Sequence, residues 1–267
     1  MIYQIREYRS DDIGSLCSLW SNVFGDPARL VERFFELLPS MGTGFAAEFG
    51  DEVFGAAYVL DAFLLLPDGT SKKVAYIYAV GVDELYRDQG IGKELTKACM
   101  RKAWEDSIDI CCTLPAEGSL YGWYEKKCGF KPATFCGYET VSAGQAVDGI
   151  HRMHADEYGF MRDNLLKGRA HISFYYGYLL FQEALLEEYG GGFFEYKGGI
   201  ACGYVENDTL YVKEVINDAP EFIPALCAML GAKCAVIRRA DASDEPYIAA
   251  YDGDPLPPDT VWNLTLD

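Results

Sequence analysis

Positive charge is scarce in this chain. Its 267 residues hold 23 Lys and Arg against 41 Asp and Glu, a net charge of −18. So acidic a surface repels phosphate backbones and anionic lipid, which argues against nucleic-acid and membrane partners. Any anionic ligand would have to find a local cationic or backbone N–H site. Long apolar runs are also missing. Residues 62–67 are among the longest, far short of the roughly 20 that a bilayer-spanning helix needs. Residues 1–10 carry charge early and contain no apolar leader segment. The nine cysteines include no CxxC pair, and Cys111 and Cys112 are adjacent, which suits a buried strand better than a disulfide. A reduced, cytoplasmic protein is expected. Histidine is nearly absent, with three residues. His151 and His154 have helical i, i+3 spacing, but no third ligand follows at a useful distance. Solvation or capping is their expected role, and no metal site is expected. No cysteine sits in a nucleophile context, so no acyl-enzyme is expected.

What is present is a core. Half the residues are hydrophobic and 14% are aromatic, which argues against disorder. Alternation at 1–10 predicts a strand, and Asp11-Asp12 opens a helix with Ile13, Leu16, Leu19, Trp20 and Val23 on one face. A second helix follows Asp26-Pro27 and ends at Pro39. Residues 45–48, 53–62 and 74–82 read as strands, 90–105 as a helix, 108–114 as a buried strand and 119–127 as a helix, with the next strand starting at Gly129-Phe130. Residues 141–150, VSAGQAVDGI, shift in composition and read as a linker between a domain at 1–140 and a smaller α/β domain at 151–267.

The second part echoes the first. At an offset of 147, Phe34 falls on Phe181, Glu36 on Glu183, Glu48 on Glu195, Phe49 on Tyr196 and Val53 on Ile200. Chance likeness between two α/β segments is the competing reading. Residues 209–216 and 234–238 read as strands, with a helix starting at Asp218-Ala219-Pro220. The prolines at 255, 257 and 258 mark a loop, and 261–266 reads as an edge strand. The tyrosine-rich run 174–178 reads as core or interface, and the acidic stretch 241–245 as a solvated loop.

One stretch carries chemistry: YIYAVGVDELYRDQGIGK, residues 76–93. A strand ends near Val82, a short turn follows, and a helix opens behind Arg87-x-x-Gly90-x-Gly92. Two glycines let the backbone approach a ligand closely. The free N–H groups of the helix start converge on one place, and the helix dipole favours negative charge there. Arg87 and Lys93 add full charges. The result is a diphosphate cradle on an acidic molecule. It is not a Walker A loop, which would need Gly-Lys-Ser/Thr after four intervening residues. Nor is it the dinucleotide fingerprint, because Leu95 stands at the third glycine.

With the strand and helix that follow it, and with Tyr124-Glu-Lys-Lys-Cys-Gly-Phe, this stretch resembles the GNAT superfamily of acyl-CoA-dependent N-acyltransferases. The resemblance covers residues 1 to about 140 in element order and is specific at 76–130. It implies an α/β fold with a mixed, twisted sheet whose fourth and fifth strands splay apart, and a C-terminal domain that is a degenerate copy without a cofactor site. It implies acetyl-CoA as cosubstrate, no metal, and a small-molecule or peptide amine as acceptor. Val80 and Val82 match the strand that pairs with the pantetheine arm. Arg87, Asp88, Gln89, Gly90, Ile91 and Gly92 match the pyrophosphate loop, with Lys93 at its rim. The family's acid, a tyrosine that protonates the leaving thiolate, falls on Tyr124, with Tyr121 one turn earlier as its rival; the spacing from Tyr124 to Gly129-Phe130 is one residue longer than usual. The strand glutamate that many relatives use as base is here Tyr78, which leaves Glu48, the C-terminal carboxylate at Asp267, or water. A non-catalytic acyl-CoA-binding sensor is the alternative function.

Overall fold

The computed structural model describes residues 3–240, 245–251, 256–257 and 259–267. Residues 241–244 of the acidic stretch, and prolines 255 and 258, lie outside the described residues. The chain runs β1 (Gln4–Glu7), α1 (Ile13–Phe24), α2 (Ala28–Leu37), β2 (Gly42–Phe49), β3 (Glu52–Leu65), β4 (Ser71–Val82), α3 (Ile91–Glu105), β5 (Ile110–Thr113), α4 (Gly118–Cys128) and β6 (Phe130–Pro132). It continues with β7 (Phe135–Ser142), β8 (His151–Met153), α5 (Ala155–Leu165), β9 (His171–Phe174), α6 (Tyr176–Glu188), β10 (Gly192–Tyr196), β11 (Gly199–Glu206), β12 (Thr209–Ile216), α7 (Phe222–Leu230), β13 (Cys234–Arg239), β14 (Glu245–Pro246) and β15 (Ala249–Tyr251).

Two compact units result. The first holds Met1–Phe63, Lys72–Ala133 and Ile248–Leu256; the second holds Leu64–Ser71, Thr134–Tyr247 and Pro257–Asp267. This division differs from the expected one at 141–150. That stretch does not bridge two bodies: Val141, Ala143, Val147 and Ile150 pack on the core of the second unit. The two units are nearly equal in size, because the second gains β7 and the tip of the β3–β4 hairpin while Ile248–Leu256 joins the first.

In the first unit the sheet order is β1-β2-β3-β4-β5-β15-β6. Neighbours β1–β2 and β2–β3 are antiparallel, while β4 and β5 are parallel. Helix α2 buries Leu30, Val31, Phe34, Phe35 and Leu37, the apolar stripe of its 3.6-residue period. Their rings join Trp20 and Tyr58 in an aromatic layer; Trp20 and Phe34 lie 4.7 Å apart, and Phe34 and Tyr58 5.0 Å. Helices α3 and α4 share a second core layer, in which Leu95, Cys99 and Met100 meet Phe54, Tyr124 and Phe130.

The second unit repeats the plan. Its sheet order is β8-β10-β11-β12-β13-β7-β14, again with one parallel pair, β12–β13. The expected echo is real in register: β2 ends at Phe49 and β10 at Tyr196, and β3 opens at Glu52 and β11 at Gly199, both pairs 147 residues apart. The strands beside β5 and β13 are exchanged, however. Strand β7, expected to continue the first domain, pairs with β13 in the second sheet, while β15, for which no strand was expected, pairs with β5 and β6 in the first. The expected edge strand at 261–266 reduces to a single bridge between Val261 and His171. No helix among the described residues is long and apolar enough to cross a membrane.

Candidate active site

The site begins where two parallel strands part. β4 pairs with β5 from Val74↔Ile110 to Ile77↔Thr113. β5 ends there, and β4 runs on to Val82. Two residues past the last pair, Ala79 adopts φ 47°. A non-glycine residue in the left-handed region kinks the strand at a cost of about 1 kcal/mol, a cost that recurs at ligand-binding backbone. The backbone of 78–82 is therefore unpaired on its β5 side.

Past β4, Asp83 caps a short turn by accepting from Leu85 N (2.9 Å), and Arg87 Nε donates to the Val82 carbonyl (3.1 Å). Asp88 (φ 62°) and Gly90 (φ 80°) both take the left-handed region, and α3 opens at Ile91 without any side-chain cap. The first N–H groups of α3 are thus unbonded and available to an anion. Arg87 and Lys93 stand beside them.

A cleft of about 520 Å³ unites these pieces. Of the residues singled out by sequence, Val80, Val82, Arg87, Asp88, Gly90, Ile91, Gly92, Lys93 and Tyr124 line it. Gln89 is exposed in the same loop but is not among the lining residues. Tyr121 packs half-buried on the core and does not line the cleft either. Val23, Tyr86, Glu117, Leu120 and Trp123, none of them singled out by sequence as a site residue, line it too. Glu117, just before α4, and the α4 members 120, 123 and 124 follow i, i+3, i+6, i+7 spacing, a one-face signal that was legible in principle.

Tyr124 is buried, its ring edge-on to Trp123 at 4.9 Å. Burial pushes its hydroxyl up to about 12, although a hydrogen bond with Thr113 acts the other way. Thr113 also donates to the Ile77 carbonyl (3.0 Å). Ile77 and Thr113 are the last paired residues of β4 and β5, so the Tyr124 hydroxyl stands at the apex of the fork.

The carboxylates weighed as a base are both engaged. Glu48 is buried and bonded to Arg6 and Gln4, and these hydrogen bonds hold its carboxyl below the usual carboxylate range. At Asp267, Lys213 Nζ donates to the main-chain oxygen (2.5 Å), and the side chain is paired with Lys213 (3.1 Å) and Arg238 and accepts from Thr265 Oγ1 (2.7 Å). Burial alone would raise its carboxyl, but the two cations hold it well below the ordinary range. Carboxylates stabilised as anions make weak bases. Tyr78 packs among Trp20 (5.7 Å) and Phe34 (5.9 Å) in the aromatic layer. Among the described residues, no group of three or more His, Cys, Asp and Glu could hold a metal ion.

Residues 4–130 match the family model of the acetyltransferase (GNAT) domain. This part of the chain is a GNAT acetyltransferase domain. Three solved structures share the fold over nearly the whole chain. One is a conserved protein of Enterococcus faecalis V583, called a probable N-acyltransferase (TM-score 0.70, 14% identity, covering 94% of this chain and 72% of that one). Another is a GCN5-related N-acetyltransferase from Kribbella flavida (0.68, 14%, 93% and 70%). A third is a putative acetyltransferase from Pyrococcus horikoshii (0.59, 19%, 94% and 89%). At these identities the likeness is one of fold, and it extends to the second, GNAT-like half. No protein of curated function matches the sequence.

Proposed function

We propose that the GNAT domain transfers an acetyl group from acetyl-CoA directly to a primary amine, with Tyr124 as general acid. The observation that carries this is the position of the Tyr124 hydroxyl at the apex of the β4/β5 fork, in the same cleft as the glycine loop. The amides of α3 and the charges of Arg87 and Lys93 grip the pyrophosphate. The pantetheine arm lies along Val80–Val82 as a surrogate strand. A backbone N–H of that strand polarises the thioester carbonyl. The neutral amine attacks it, the C–S bond breaks, and Tyr124 gives its proton to the departing thiolate. With Glu48 and Asp267 engaged, the amine loses its proton to water. The second half, whose turn reads Asn217-Asp-Ala-Pro-Glu, has no glycine cradle and binds no coenzyme A.

The test is product formation from acetyl-CoA across a panel of amines, followed by mass spectrometry. Turnover of at least one amine is expected; coenzyme A binding without any turnover would favour the sensor reading, which the engaged carboxylates and Tyr78 make worth separating. The pH profile adds a second arm. The rate is expected to rise about tenfold per pH unit until the acceptor amine is neutral, near pH 10 for an alkylamine. Tyr124, protonated up to about pH 12, then imposes no descending limb below that. A fall beginning near pH 8 to 9 would remove Tyr124 from the role.

The cradle has its own test. A Cβ on Gly90 would meet nothing within 4 Å, but φ is +80°. Gly90→Val therefore acts through backbone strain, not crowding, at a cost of about 1–2 kcal/mol or more for a β-branched residue. Calorimetry is expected to show coenzyme A binding weakened roughly 10- to 30-fold, with Gly90→Asn in between because Asn tolerates this region. Normal affinity in the valine variant would mean that the loop does not grip the cofactor.

A further inference from the structure

The second unit contains a cavity of about 730 Å³ that the acyl-transfer reading does not use. That volume suits an organic small molecule. Every residue lining it belongs to the second unit. Its walls are mainly apolar, with Leu65, Leu66, Phe160 and Phe174 among them. Phe160 is 77% exposed.

Two polar side chains converge in this cavity. His171 is 3% exposed, and its Nε2 has no hydrogen-bond partner. Its Nδ1 lies 2.8 Å from the Arg169 carbonyl. A carbonyl only accepts, so the ring proton is assigned to Nδ1, and Nε2 presents a lone pair. That lone pair faces Asp163 Oδ1 at 3.6 Å. With the ring neutral two acceptors face each other there; a protonated ring would instead form an ion pair with Asp163. The other Asp163 oxygen accepts from Ser173 Oγ (2.5 Å). Arg162 Nη1 lies 3.6 Å from Asp163 Oδ1, but its hydrogen bonds go elsewhere: Nε and Nη2 to Glu214 (2.6 and 3.0 Å) and Nη1 to the Ile172 carbonyl. A buried acceptor left unpaired is destabilising, so His171 Nε2 calls for a donor.

We propose that this cavity binds a primary ammonium on an apolar body, with the ammonium donating to both Asp163 Oδ1 and His171 Nε2. A primary ammonium, with three N–H donors on one atom and a positive charge opposite Asp163, satisfies both acceptors at once. The apolar walls take the hydrocarbon part, and the net charge of −18 favours a cation over an anion.

Calorimetry on the full chain with 2-phenylethylammonium tests this, with 2-phenylethanol as its neutral analogue and phenylacetate as its anionic one. The ammonium is expected to bind one per chain, at least 10-fold more tightly than either analogue, on the scale of a charge-assisted hydrogen bond. Asp163→Asn should weaken it at least 10-fold while leaving coenzyme A affinity unchanged, so failure here is separable from failure of the acyl-transfer reading. Phe160→Ala, on an exposed ring, should weaken it severalfold without touching the fold. No binding of the ammonium, equal binding of either analogue, or unchanged binding by both variants would overturn the proposal.

Discussion

Tyr124→Phe is expected to lower kcat about 100-fold at neutral pH and to leave KM for acetyl-CoA nearly unchanged. Phenylalanine keeps the ring contacts with Trp123 and Phe130, so the cleft wall survives and only the proton donor is lost. General acid catalysis contributes roughly 10²–10⁴ in rate. The low end applies here, because burial pushes the hydroxyl up to about 12. An acid that weak is always protonated at working pH but drives proton transfer less strongly. A loss confined to kcat is the signature of an interaction made in the transition state. Tyr121→Phe should change kcat less than about threefold, because its ring packs on the core outside the cleft. Steady-state kinetics of both variants decide between them. An unchanged rate in Tyr124→Phe, or a larger fall in Tyr121→Phe, would reassign the acid.

Residue type and spacing revealed what short-range physics controls. The left-handed glycine at position 90 and the helix behind it were legible because backbone freedom and an uncapped helix start are local properties. Strand β12 was expected at 209–216 and is found at Thr209–Ile216, since alternation over eight residues leaves little choice of register. The exchanged strands were not legible. Ala249–Tyr251 is too short to show a period, and its partners, Cys112 and Lys131 among them, lie far back along the chain. The linker reading failed for a related reason: scattered apolar residues at 141, 143, 147 and 150 look like a composition shift until the α7 layer covers them. Glu48 looked like a free strand carboxylate because nothing in its own neighbourhood announces Arg6, which reaches it across the β1–β2 pair. In the site, the α3 side was read from its glycines, while Val23 of α1 reaches the cleft only through tertiary packing.

Removing the carboxylate of Glu214 is expected to destabilise the second unit by about 3–5 kcal/mol. Glu214 and Arg162 are each 1% exposed at the side chain. The carboxylate takes Arg162 Nε and Nη2 and also the Tyr158 hydroxyl (3.1 Å). In Glu214→Ala the guanidinium stays buried with the Ile172 carbonyl and the more distant Asp163, whose Oδ1 is 3.6 Å away. Neither replaces the lost charge at hydrogen-bond range. The cost is that of an uncompensated buried cation, not the net worth of the pair. The double variant Arg162→Met/Glu214→Met is accordingly expected to regain most of the loss, because two apolar side chains need no desolvation of charge. Two compact units need not unfold together, so hydrogen exchange at β11 and β12 is the measurement that isolates the second one. Those amides should exchange at least 100-fold faster in Glu214→Ala, and coenzyme A binding by the first unit should persist. A double variant no more stable than the single would show that the pair holds the unit together by more than mutual neutralisation. A single variant with exchange close to that of the parent chain would show that Arg162 finds another counter-charge.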